Sequence, residues 1–329
     1  MRSRALRHKH KMTWSGLRRR YATGGLDPSV KYAGKSLEAA IRHCVALVSE
    51  NDADFQRWAS IAVKTKENRA PVLVLKALQL EIESIQQAAR TETLLRMRYQ
   101  WWRDSIDKAF AARKSYEMAQ PVMKAFSELV QSYESINHGR VNTMLDAYER
   151  DAMRGEACFQ TAEELAGFAR DSTGALVALQ MEACGVGDSV VAEVAPSLGT
   201  GIGMVAALRR AVGSLSGYGI SYFPEDVCRR HGIDPGSFFD GQDRREALKH
   251  VARDIAEVAR GHLGAGAAAL AAAGLKTGET GNSAAKAFAT RGLASELWLN
   301  GLEKRGYDLL TAGGGSPVEY LLKLKWNSL

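Results

Sequence analysis

Charged side chains in two stretches of the chain are placed where they could bear on chemistry. In the first, Ala77–Ile85, Glu81 and Glu83 are the only acids between Glu67 and Glu92. The second runs from Leu198 to Asp234 and carries the basic pair Arg209 and Arg210, with no acid between Glu193 and Glu225. Carboxylates facing one another across helices are suited to magnesium, a hard cation that takes several converging oxygens. Glu81 and Glu83, two residues apart, diverge by about 200° on a helix and cannot meet on one ion as an i, i+4 pair can. The two therefore face different surroundings. Arginines attract phosphate but do not ligate a metal. The second stretch closes on Phe223, Pro224, Glu225 and Asp226. Pro224 fits a first helical turn there, and the two acids lie beside the positive end of that helix's dipole.

Other candidate sites carry weaker signals. Gly199, Gly201 and Gly203 lie inside an apolar helical run, and Gly313–Gly315 is not followed by a Lys-Ser or Lys-Thr pair. Neither has the strand-to-helix context of a phosphate-binding loop, so both read as backbone devices; the first suits close helix approach. Cys44, Cys158, Cys184 and Cys228 are far apart, with no C-x-x-C pair, which indicates neither a zinc site nor a disulfide framework. The histidines are scattered. No metal and no cofactor is expected.

The elements that must hold these residues are helices. Leu37, Ala40, Ile41, Cys44, Val45 and Val48 recur at helical spacing, and Pro71 is expected to start a long helix through Leu75, Leu78, Ile82 and Ile85. The next helix carries Arg98-Tyr99-Gln100-Trp101-Trp102-Arg103-Asp104. Adjacent tryptophans point about 100° apart on a helix, so at least one is expected in the core. From Asp243 to Leu275 the residues Leu248, Val251, Ile255, Val258 and Leu263 mark one apolar face, and a last pair of helices carries Trp298, Tyr307 and the run Tyr320 to Trp326. Alternating strand patterns and hairpin turns are essentially absent. The fold class is therefore all-α, in a single body.

At 329 residues with 46% apolar side chains, the chain is long enough to bury a large core. The net charge of +7 is concentrated at its start, where residues 1 to 25 contain Arg2, Arg4, Arg7, Lys9, Lys11, Arg18, Arg19 and Arg20 and no acid. Residues 1–21 are read as a mitochondrial presequence and 22–36 as a linker; the alternative for the leader is a basic tail for RNA or an anionic membrane. The longest uncharged runs, 194–208 and 262–275, fall short of the roughly 20 apolar residues of a spanning helix.

Taken together, Arg98 to Asp104 and Tyr222 to Asp226, in that order, resemble the squalene/phytoene synthase family, and in particular its divergent branch of complex I assembly-factor-like proteins. The resemblance covers roughly residues 37–327. It implies an isoprenoid-synthase-like helical bundle around a central cavity. In the active synthases an Asp-rich helix reads roughly Asn-Ile-Leu-Arg-Asp-Val-Gly-Glu-Asp; the matching positions here are Ala206 to Ser214, so Arg210 stands where the first aspartate is expected. The other Asp-rich motif would fall on the helix of Glu81 and Glu83, and the resemblance implies that one of the two faces the cavity and the other solvent. With its carboxylates lost, the site resembles a degenerate one.

What the resemblance implies is a non-catalytic protein of the mitochondrial matrix, peripheral to the inner membrane, that acts in complex I biogenesis. Its partners would be complex I subunits or assembly intermediates, with a lipid or isoprenoid in the cavity as a further possibility. Two alternatives are a permanent accessory subunit of a large respiratory complex and a working prenyl-diphosphate transferase. A nucleic-acid partner is not expected, because the body shows no aromatic-basic surface in its sequence.

Overall fold

The structure, a computed structural model, describes residues 37–64, 66–88, 91–112, 118–155, 157–214, 222–234, 245–274, 283–311 and 317–327. The expected presequence and linker lie outside these residues, as do the glycine-rich loops around 276–282 and 313–315 and most of the Gly/Ser segment that follows Gly213. Among the described residues there is no strand. Helices α1 (Leu37–Asn51), α2 (Ala53–Ile61), α3 (Lys66–Ala88), α4 (Glu92–Ala111), α5 (Pro121–Ser132) and α6 (His138–Arg154) form the first half. The second half contains α7 (Ala162–Ala169), α8 (Ala175–Ala183), α9 (Asp188–Ser214), α10 (Glu225–Arg230), α11 (Arg245–Ala272), α12 (Ser283–Phe288), α13 (Leu293–Lys304) and α14 (Pro317–Asn327). Buried side chains from Ala40 to Leu324 make one continuous apolar cluster.

Several helix starts follow from their capping residues. Asp52, Thr91, Asn137 and Thr161 each place a side-chain oxygen on a backbone N–H of the first turn of α2, α4, α6 and α7, satisfying a donor that has no partner within the helix. The start of α3 differs from the sequence reading: the helix begins at Lys66 and Pro71 lies inside it. Proline supplies no N–H to the carbonyl four residues back, at Glu67. The Tyr133 hydroxyl donates to that carbonyl at 3.5 Å instead.

Helix α9 is the axis of the bundle. Its stretch Asp188–Ala211 has the length and hydropathy to cross a membrane, but it is 67% buried against its neighbours, as a core helix is. The expected close approach is observed at its glycines. A Cβ on Gly199 would lie 2.2 Å from the Gly174 Cα, one on Gly201 2.7 Å from the Leu263 side chain, and one on Gly203 2.8 Å from the Ala169 Cβ. Opposite, Gly266 of α11 abuts Leu198. Where α9 crosses, the chain between α7 and α8 widens into a π-helical turn, Arg170–Gly174, a rare form that often accompanies a functional site. On α11, Val258 does not lie on the inner face as its spacing suggested: it is 40% exposed, and Ala259 is the buried residue at that level.

These contacts separate two kinds of glycine. Gly199→Ala is expected to destabilise the protein by about 1–3 kcal/mol or more, because the clash is with backbone that must move. Gly264→Ala, with nothing within 4 Å of the new methyl, is expected to stabilise it by about 0.5–1 kcal/mol through helix preference. Urea denaturation of the two variants checks both signs.

Candidate functional site

The interior site is assembled from α3 and α9, with contributions from α2, α6 and the last helices. On α3, Lys76, Gln79 and Glu83 follow one another at helical spacing and share a face. Lys76 donates to the Gln79 Oε1 at 2.8 Å, and Gln79 donates to the Tyr148 hydroxyl of α6 at 2.8 Å. That hydroxyl also lies 3.5 Å from Glu83. Across from this face, near the end of α9, Arg210 forms an ion pair with Glu83 and hydrogen-bonds the hydroxyls of Tyr148 and Tyr222. Its guanidinium stands 5.7 Å over the Tyr222 ring. Tyr222 in turn donates to Asp151 at 3.2 Å, which pairs with Arg154 at 2.6 Å.

Arg209, the next residue round α9, turns to the other side. It lies 3.8 Å from Asp54 and stacks 5.4 Å over Trp298. Nearby, Lys76 also pairs with Asp52 at 3.0 Å, and the buried Arg291 lies over Phe55 and Trp58 at 4.6 and 5.0 Å. Arg209, Arg210, Arg291, Lys76, Asp52 and Asp54 line a cavity of about 90 Å³, into which the π turn brings Thr173. The Nε atoms of Arg209 and Arg291 are buried and meet no acceptor among the described residues.

The charges here are matched inside the protein. Burial lowers the pKa of the Arg210 guanidinium, but Glu83 and the tyrosines more than offset this and hold it above its ordinary value. Burial likewise raises Asp52, and the Lys76 ammonium with the Phe55 amide outweighs it, so the carboxyl is held below the ordinary range. Arg209 and Arg291 are lowered by burial. A magnesium ion would need several free, converging oxygens. Here each carboxylate near the cavity faces a cation, and four cationic side chains surround the space. This donor set does not fit magnesium.

The other residues singled out in the sequence fall elsewhere. Glu81 does not face the cavity: it lies on the opposite side of α3, half-buried against α1, where burial raises its pKa and His43 lowers it. Its position follows from the i, i+2 spacing, although it is not solvated as one of the pair was expected to be. Trp102 is buried, while Trp101 is 47% exposed and meets it edge to face at 5.2 Å. Arg103 bridges to Asp146 and Glu149 of α6, both at 2.7 Å. Gln100 donates to Asp104, and both Gln100 and Arg98 are exposed. Phe223 and Pro224 are buried. Glu225 and Asp226 donate their backbone N–H groups to the carbonyls of Phe159 and Gln160, and the Asp226 carboxylate accepts from the N–H of Ala162. This element therefore ties the start of α10 to the start of α7.

Lys76, Gln79, Asp52, Asp54 and Arg291 are site residues that the sequence reading did not pick out, and Tyr222 figured in it only as the first residue of a motif. One signal was available: Gln79 and Glu83 form an i, i+4 pair, the spacing that Glu81 and Glu83 lack. Because Gln79 is neutral, a search for carboxylates passes over it.

The squalene/phytoene synthase family model matches residues 51–321. The chain is 24% identical over 234 residues to NADH dehydrogenase (ubiquinone) complex I, assembly factor 6 from Bos taurus, covering 70% of this chain and 67% of that protein. It is 25% identical over 225 residues to the Drosophila melanogaster homolog of that factor, covering 68% and 65%. The chain thus spans about two thirds of the length of these relatives. Among solved structures, a dehydrosqualene synthase in complex with ligand is similar at a TM-score of 0.72 and 15% identity, covering 92% of this chain and 98% of the other.

The pairing across the cavity has a measurable consequence. In a double-mutant cycle of Arg210→Ala and Glu83→Gln, followed by urea denaturation, the two substitutions are expected to couple by about 1–3 kcal/mol. Each alone leaves a partly buried charge or its partner hydroxyls unmatched. Coupling near zero would mean that the two side chains do not act on each other.

Proposed function

Since the chain belongs to the squalene/phytoene synthase family, we propose that it is a non-catalytic member that acts by binding, in the biogenesis of mitochondrial respiratory complex I. The observation that carries this reading is the Arg210–Glu83 ion pair, which spans α3 and α9 where the family pattern would have carboxylates facing a shared metal. A cation fixed on the protein replaces one side of that arrangement. The names of the relatives, assembly factors of complex I rather than synthases, point the same way.

The cavity beside the two arginines is small. Pockets that hold organic ligands enclose about 300–1,000 Å³, whereas the space beside Arg209 and Arg210 is about 90 Å³. That suits a small anion better than a prenyl chain. On the outside, Leu94, Met97 and Trp101 recur at helical spacing on α4, each at least 46% exposed. Exposed Arg98 borders them on one side and the Gln100–Asp104 hydrogen bond on the other. An apolar stripe with a rim of both signs has the make-up of a protein-binding surface. The partner we assign is a complex I subunit or assembly intermediate, in the mitochondrial matrix at the face of the inner membrane.

Size separation of mildly solubilised mitochondria, with mass spectrometry of each fraction, tests this proposal. The chain is expected to migrate with substoichiometric intermediates that contain complex I subunits. Stoichiometric migration with a mature complex would make it a resident accessory subunit instead, and migration only at monomer size would contradict both.

A further inference from the structure

The helix α14 is apolar on two opposite sides. Its inner side is accounted for: Tyr320 and Leu324 are buried, and the Tyr320 hydroxyl donates to the Asp54 carbonyl at 3.2 Å. Its outer side is not. Val318 is 65% exposed, Leu322 65%, Trp326 80% and Leu321 36%. At the angular step of a helix, Leu321, Lys325, Val318, Leu322 and Trp326 occupy consecutive positions on an arc of about 140°. The only charge within that arc is the lysine. The helix's one acid, Glu319, lies beside the arc and is paired with Lys323 at 2.9 Å.

A helix that is apolar on two opposite sides normally has both of them covered. We propose that the outer face of α14 lies on an anionic phospholipid bilayer, with the helix in the plane of the membrane surface. The residue types suit that occupant. The lysine stem lies along the apolar face while its ammonium reaches the headgroups, and tryptophan favours the boundary between headgroups and acyl chains. With 11 residues, the helix has the reach of a surface element and not of a spanning one, which takes about 20. A second copy of the chain is a poorer fit, because a two-fold contact through this arc would bring two Lys325 side chains together with no acid in the arc to meet them. The stripe on α4 differs in carrying no charge within it and in having Arg98 on one border and Asp104 on the other.

This deepens the peripheral-membrane part of the reading above by giving it a surface. Its test uses lipid alone, so its failure leaves the role in complex I biogenesis to be judged by the migration experiment. The full chain is floated with vesicles of phosphatidylcholine and phosphatidylglycerol, and with vesicles of phosphatidylcholine only. Leu322→Gln combined with Trp326→Ser is expected to weaken binding to the anionic vesicles at least about tenfold, the loss of two apolar side chains from the bilayer, with an unchanged melting temperature. Because the basic leader also attracts anionic lipid, a second readout isolates the helix. With bromine-labelled acyl chains in the vesicles, the chain's tryptophan fluorescence is quenched, and the component contributed by Trp326 disappears in Trp326→Phe while binding persists. Unchanged binding of the double variant, or no quenching component from Trp326, overturns the proposal. So does self-association that the double variant abolishes, which would assign the face to a second copy.

Discussion

Between α3 and α9 the Arg210 guanidinium meets the Glu83 carboxylate, and the interior of the bundle is arranged around the neutralisation of that charge. A partly buried arginine is costly unless its charge and its N–H groups are both satisfied. Glu83 meets the first need, and the Tyr148 and Tyr222 hydroxyls contribute to the second. Each of those tyrosines is held by a further bond, from Gln79 and to Asp151. Four segments are joined in this way through one side chain: α3, α6, α9 and the stretch leading into α10. Helices carrying facing carboxylates would need an added cation between them; here one helix supplies the cation itself.

The distance across which this pairing acts is set elsewhere, by the glycines of α9. Gly199 lies against Gly174 with no room for a side chain, and Gly201 and Gly203 are nearly as close to Leu263 and Ala169. Such contacts fix where α9 runs relative to the π turn and α11. They thereby bring Arg209 and Arg210, about two turns beyond Gly203, to opposite sides of the small cavity. Arg209 then faces Asp54 and Trp298, and Arg210 faces Glu83. Packing and electrostatics are linked along the one helix.

Much of this was legible in the sequence. The helical period of Leu37 to Val48, the glycines of α9 as points of close approach and the divergence of Glu81 from Glu83 follow from local geometry, and the structure has each of them. The all-α class and the family follow from pattern and motif. The partners in the polar network were not legible, because their pairing depends on contacts between distant parts of the chain: Glu83 with Arg210, Gln79 with Tyr148, and Arg291 over Phe55. Spacing along one helix says nothing about which residue of another it meets. Pro71 misled for a related reason. A proline inside a helix is tolerated when its missing hydrogen bond is replaced, and the replacement comes from Tyr133, a residue far along the chain. Glu81 was legible in direction but not in surroundings, since the helix it faces, α1, is fixed only by the packing of the bundle.

The account rests on the charges of this interior being satisfied without a metal and without turnover. The most direct test is an assay of diphosphate release from farnesyl diphosphate by the purified full chain in the presence of magnesium. The account predicts no release above that in a protein-free control. Magnesium-dependent release that is lost in Glu83→Gln would contradict it, and would make Glu83 a working ligand and not the partner of a fixed arginine.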